Sequence, residues 1–192
     1  MFKQFLFTFL LILPFQCSPL LAETTKFSVG LSYMYANIND KDFDFVEKYE
    51  LVKNPKDQLQ SFNISSSVFY DNGINIAFST NRLFNKSIKR SVKRKSDGLI
   101  FKNETKTTID SINLAYKVKR FNPGIVLANV GMSKHLFYND RVVGYEKKNA
   151  IVGGFNLGYF ATKHLLPSVT YILPNKELDL EGAVSFNINY LF

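Results

Sequence analysis

Val184-Ser185-Phe186-Asn187-Ile188-Asn189-Tyr190-Leu191-Phe192 is the stretch on which the fold turns. Val184, Phe186, Ile188, Tyr190 and Phe192 stand at alternate positions, with Ser185, Asn187 and Asn189 between them. Successive side chains of a strand point to opposite faces, so this segment has one large apolar face and one small polar face. It is expected to be the closing strand, held at Phe192 itself.

The same period of two recurs upstream. Phe27, Val29, Leu31, Tyr33 and Tyr35 oppose Ser28, Gly30, Ser32, Met34 and Ala36. Phe62, Ile64, Val68 and Tyr70 oppose Ser61, Asn63, Ser65 and Ser67, and Asp71-Asn72-Gly73 then gives the clearest turn signal in the chain. Ile74, Ile76, Phe78 and Thr80 alternate with Asn75, Ala77, Ser79 and Asn81 in a third strand. A fourth sets Ile112, Leu114, Tyr116 and Val118 against Ser111, Asn113 and Ala115, with a turn expected at Asn122-Pro123-Gly124. The fifth sets Val126, Ala128, Val130 and Met132 outward, which puts Asn129, Gly131 and Ser133 inside. Ile151, Phe155, Leu157 and Tyr159 make a sixth against Gly154, Asn156 and Gly158, and Leu166 to Leu173 a seventh, bounded by Pro167 and Pro174. With the closing strand these make eight.

The terminal pattern resembles the last strand of bacterial outer-membrane β-barrels, which end in an aromatic residue preceded by apolar residues at every second position. That resemblance implies that Phe186, Ile188, Tyr190 and Phe192 are read by the barrel-assembly machinery. The whole chain looks like the small barrels of the OmpA, OmpX and Opa type, catalogued as porin-like or surface-antigen proteins. Unlike full-length OmpA it lacks a periplasmic peptidoglycan-binding domain, so cell-wall tethering does not carry over. The expected fold is all-β: a closed, antiparallel, eight-stranded, up-and-down transmembrane β-barrel of the bacterial outer membrane.

Composition agrees with that expectation. Lys3, an apolar run from Phe5 to Phe15 and then Pro19-Leu20-Leu21-Ala22 read as a secretory signal peptide over residues 1–22, leaving a barrel domain over 23–192. The apolar run is shorter than the ~20 residues a spanning helix needs. Cys17, the single cysteine, falls inside the signal, so no disulfide is expected; acylation of Cys17 as a lipoprotein is opposed by Phe15 and Gln16. Loss of Lys3 lowers the net charge from +8 to +7. A soluble barrel such as a lipocalin would also alternate, but its polar face would be rich in Lys and Glu. Here that face is Ser, Gly, Asn and Ala, which suits a narrow interior. Tyr70, Tyr116, Tyr159, Tyr190 and Phe192 fall toward the expected periplasmic rim and Tyr35 and Phe84 toward the outer one, as aromatic girdles.

Long connections are expected at Asn37–Gln58 and Asn85–Thr105, facing outward. The second carries Lys86, Lys89, Arg90, Lys93, Arg94 and Lys95. Export excludes nucleic acid as their partner. Lipopolysaccharide phosphates, or anionic host or environmental glycans, suit them, as does pairing with Asp40, Asp42, Asp44, Glu47 and Glu50 of the first loop, or a merely solvated role. Ser133 and His135 are the candidate nucleophile and base for a lipid A-modifying activity like that of the barrel deacylases. Their order is not the His-x-Ser of that family, and an interior hydrogen-bonded pair is the plainer expectation. His164 lies at the other end of the barrel. No metal-ligand cluster, cofactor motif or phosphate-cradling loop is present, so no cofactor and no enzyme activity are expected. The favoured role is structural or surface interaction with outer-membrane lipids and lipopolysaccharide; a small-solute, porin-like channel is the other alternative, although eight strands leave little bore.

Overall fold

The structure is a computed structural model that describes residues 26–38, 48–51, 58–85 and 87–192. The expected signal peptide, Lys86 and the acids Asp40, Asp42, Asp44 and Glu47 lie outside the described residues. Among the described residues ten strands run in chain order: β1 (Lys26–Ile38), β2 (Tyr49–Leu51), β3 (Gln58–Phe69), β4 (Ile74–Asn85), β5 (Ile88–Arg94), β6 (Ile100–Tyr116), β7 (Phe121–Tyr138), β8 (Arg141–Tyr159), β9 (Leu165–Ile172) and β10 (Leu180–Leu191). Eight of them, β1-β3-β4-β6-β7-β8-β9-β10, pair antiparallel in that order, and β10 closes on β1 through pairs such as Val29↔Tyr190. The barrel is closed and up-and-down. β5 adds to β6 outside this ring, and β2 adds to β5, so both expected long loops carry a strand.

The outward face confirms the alternation. Leu31, Leu127, Ile151 and Ile188 are 60–76% exposed, alongside Ile112, Phe155, Leu157 and Phe186. A continuous apolar belt around a closed sheet, with every strand paired, is the arrangement that hydrocarbon accepts and water does not. No helix among the described residues is long and apolar enough to cross a membrane. The belt stops where Asp110 faces Asn129. There Arg82 forks onto the Asp110 carboxylate, its Nε 2.9 Å from each oxygen.

The interior has two halves. Near the short turns it is polar and hydrogen-bonded: Ser28 meets Ser67, Ser65 donates to Asn189 Oδ1 at 2.8 Å, and Thr170 donates to Asn156 Oδ1 at 2.9 Å. Toward the other end an apolar core of Met34, Ile38, Leu59, Ile109, Val130 and Met132 packs together with the buried polar side chains of Asn63 and Asn81, capped by the buried Leu178 of a 3-10 turn, Lys176–Leu178. The small polar interior expected from the sequence is therefore joined, in the upper half, by an apolar core beside Ser61, Asn63 and Asn81.

Three sequence-based expectations are corrected. In β7 it is Ile125 and Leu127 that face outward, while Val126, Ala128, Val130 and Met132 are buried inside. Both faces are apolar there, one against lipid and one against the upper core, so alternation does not give the phase. Ser133 and His135 consequently stand on the outer face, not in the interior. The β6–β7 turn is Val118–Phe121, closed by reciprocal backbone bonds of 2.8 and 2.9 Å, and Asn122-Pro123-Gly124 belong to β7. Pro167 lies inside β9 opposite Ile188, one residue before pairing with β8 begins at Ser168, where its missing N–H costs the sheet least.

Candidate anion-binding face

β6, β7 and β8 have 17, 18 and 19 residues, whereas a tilted spanning strand needs roughly 9–11. The surplus rises beyond the belt as a sheet. β7 and β8 are joined by Asn139 and Asp140, both left-handed (φ 47° and 59°), the two-residue turn that matches strand twist. β5 and β2 widen the sheet on its β6 side.

This sheet has two unlike faces. On the inner face Val92, Phe101 and Leu136 form a small core, with the Phe101 ring 5.2 Å from Tyr49 and 5.0 Å from Tyr138. Arg90 belongs to this side. It is only 5% exposed, and burial lowers its pKa from the usual guanidinium value. Arg94 packs 5.1 Å above the Phe101 ring, and its Nε is 3.0 Å from both oxygens of Asp97. Hydrogen bonding to Arg94 holds the Asp97 carboxyl below its ordinary pKa.

The outer face carries Lys89 and Lys93 from β5, Lys102 and Lys106 from β6, and Lys147 from β8, all exposed. The register aligns them in rows: Lys89 with Glu104, His135 and Tyr145; Ser91 with Lys102 and Phe137; Lys106 with Ser133 and Lys147. Neighbouring strands are ~4.8 Å apart and same-face residues of one strand ~6.6 Å apart, so these ammonium groups stand one to a few sugar-substituent spacings from each other. Lys106 and Lys102 are partly engaged, with Glu104 at 3.4 Å and Asp140 at 3.3 Å. Glu104 stands across the ladder from Lys89 and Glu50 across from Lys93, although no ion pair closes at either lysine among the described residues. The ring of His135 packs 4.9 Å from Tyr145 and 6.1 Å from Phe137, which lays an aromatic strip between the lysines. Such a surface can hold several phosphates or sulfates and stack a sugar face at the same time.

The six-residue basic cluster read from the sequence therefore divides. Lys89 and Lys93 point outward from β5 and Lys95 is exposed in the following turn; Arg90 is buried, and Arg94 is committed to Asp97 and Phe101. Lys102, Lys106 and Lys147 join the face without having been singled out in the sequence. Their signal was available: Lys102, Glu104 and Lys106 continue, past Asp110, the parity of Ile112, Leu114 and Tyr116. Ser133 and His135 share this face, but among the described residues no hydrogen bond links them to each other. Among the described residues no group of three metal-ligating side chains gathers.

At the opposite end His164 Nδ1 lies 3.0 Å from the Leu191 carbonyl oxygen, and Leu191 N donates to the His164 carbonyl at 2.8 Å. The ring stacks on Tyr190 at 5.9 Å. His164 is thus part of the seam that holds β10. Phe186, Ile188, Tyr190 and Phe192 all project outward from that strand.

No protein-family model and no curated protein sequence matches this chain. Solved structures do. Ail, the attachment invasion locus protein of Yersinia pestis, aligns with a TM-score of 0.61 at 11% identity, over 88% of this chain and 100% of that one. A second structure of Ail, in complex with the heparin analogue sucrose octasulfate, gives a TM-score of 0.60 at 10% identity over the same shares. At such identity the likeness establishes a shared fold, that of the small eight-stranded outer-membrane barrels.

Proposed function

We propose that this chain is a non-enzymatic outer-membrane surface protein whose protruding sheet binds polyanionic saccharides, the phosphorylated core of lipopolysaccharide or sulfated glycans outside the cell. The observation that carries the reading is the registered set of five exposed lysines flanking the His135–Tyr145 strip. Short turns facing the periplasm and tall hairpins facing outward are the arrangement usual for such barrels, and it gives this sheet access to both ligands. Lys106 and Lys147 stand four residues above Asp110 and Ile151 on their strands, close to where lipid A phosphates lie. The sulfated sugar bound to Ail supports the same ligand chemistry on this fold. In assembly, Phe186, Ile188, Tyr190 and Phe192 are the proposed recognition signal.

The test is binding of the detergent-folded protein to immobilised heparin and, separately, to purified lipopolysaccharide. Each exposed cation near a polyanion contributes about 1 kcal/mol. Replacing Lys89, Lys93 and Lys102 together by Ser is expected to weaken binding on the order of 100-fold, with a shallower salt dependence. Unchanged affinity for both ligands would remove the proposal. Loss for one alone identifies the ligand.

A further inference from the structure

The short-turn end carries a second basic surface, distinct from the lysine face. Between the turns that join β3 to β4, β6 to β7 and β8 to β9 lies a concavity of about 520 Å3. Lys26, Lys117, Lys119, Arg120 and Lys163 line it, with Asp71 the one acidic side chain among its lining residues. Beneath them Phe69 and Phe160 pack edge to face at 5.8 Å and, with Leu166 and Leu191, close the barrel. The mouth is therefore a bowl with a cationic wall and an apolar floor.

Its cations are positioned. Lys117 Nζ sits 4.8 Å above the Phe160 ring. The Arg120 carbonyl accepts Phe160 N at 2.7 Å, and its guanidinium donates to the Tyr159 hydroxyl at 3.4 Å. Lys119 takes the left-handed conformation, φ 56°, at a turn position that Gly or Asn occupies at lower cost. Among the described residues, no ion pair forms at Lys117, Lys119, Arg120 or Lys163. Like charges gathered round one hollow repel, and an anion entering it relieves that repulsion.

We propose that this bowl receives a short peptide bearing several carboxylates and small apolar side chains, the chemistry that the stem peptides of the cell wall offer in the periplasm. The volume lies within the range of small-ligand sites, several times what one phosphate would fill. The apolar floor suits methyl groups, and the wall suits carboxylates spaced along a chain. Tyr116, Tyr159 and Tyr190 are exposed on the outside of the same rim. Lipid headgroups meet the barrel beyond that girdle, whereas the bowl opens along the barrel axis to the aqueous side. The inference depends on the periplasmic orientation of the short turns but not on the saccharide face.

The experiment is isothermal titration of a purified disaccharide-tetrapeptide fragment of the cell wall into the protein held in neutral phosphatidylcholine nanodiscs. Saturable binding that weakens with salt is expected. Lys119→Asn combined with Lys163→Ser should weaken it about 10-fold, with the folded barrel unchanged by heat-modifiability on gels, since Asn tolerates the left-handed turn. The Lys89, Lys93 and Lys102 variant should bind the fragment normally. Absence of saturable binding, or equal binding by the double variant, overturns the proposal. So does a result in which the double variant keeps the fragment but loses a preference for anionic phosphatidylglycerol in the disc, which would make the bowl a lipid site.

Discussion

Two adjacent glycines in β8 have opposite duties. A Cβ on Gly154 would overlap the carbonyl oxygen of Tyr171 in the neighbouring strand, whereas one on Gly153 would meet nothing closer than Leu173 Cδ1 at 3.8 Å. Gly154→Ala must part β8 from β9 and is expected to cost about 1–3 kcal/mol; Gly153→Ala should be near neutral. Urea unfolding in micelles measures both, and equal effects would contradict the close approach. Asn81 is a second residue of this kind. Buried inside the barrel, it accepts Ile109 N at 2.8 Å and donates to the Thr107 carbonyl at 3.1 Å, which ties β4 to β6 just where their direct ladder stops at Thr80↔Asp110. Asn81→Leu removes both of these hydrogen bonds and should cost about 1–3 kcal/mol in the same assay. Alternation in the sequence marked Gly154 and Asn81 as inward. It carried no trace of the backbone or amide each one meets, because those partners lie on other strands.

At the scale of the element, period two found every barrel strand and misjudged the phase of one. β1, β3, β8 and β10 have unlike faces and could be read directly. β7 is apolar on both sides through Ile125-Val126-Leu127, and its phase was decided by an upper core assembled from β1, β3, β6 and the Leu178 cap. Paired nitroxide labels at Val126 and Leu127 check this: the second should report lipid contact and the first burial. β5 hid for another reason. Lys89, Arg90, Lys93 and Arg94 read as a charged loop because a strand that leans on β6 above the membrane needs only Val92 and the Arg90 stem beneath it. Its turn is fastened by Arg94 to Asp97, whose carboxyl is held below its usual pKa. A depressed carboxyl stabilises the state in which it is charged, so this fastening is complete at neutral pH and is lost only as pH falls through the lowered value. Arg94→Ser should return the Asp97 pKa toward the ordinary carboxylate range, as read by carbon NMR of the side chain; an unshifted titration would mean that Arg94 is not its cause.

For the molecule as a whole, the two halves of the interior bear on conduction. Eight strands enclose a bore that side chains can fill, and here the upper half is packed shut: Met34, Ile38, Leu59, Ile109 and Val130 are each at most 2% exposed, and Asn63, Asn81, Thr107 and Lys134 are buried as well. The short-turn end is closed by Phe69, Leu166 and Leu191. An ion entering through the polar middle, among Ser65, Asn75 and Asn122, would have to shed its water at one apolar plug or the other, at a cost that the small uncharged dipoles there do not return. The protein reconstituted in planar bilayers is therefore expected to give no discrete conductance steps at neutral pH. Opening it should require both plugs to be cut back, for instance Met34→Gly and Leu59→Gly together with Phe69→Gly and Leu191→Gly, and neither pair alone should suffice. Regular steps from the unaltered protein would mean that the core breathes on the timescale of ion passage, and would favour the channel alternative over a surface-binding role.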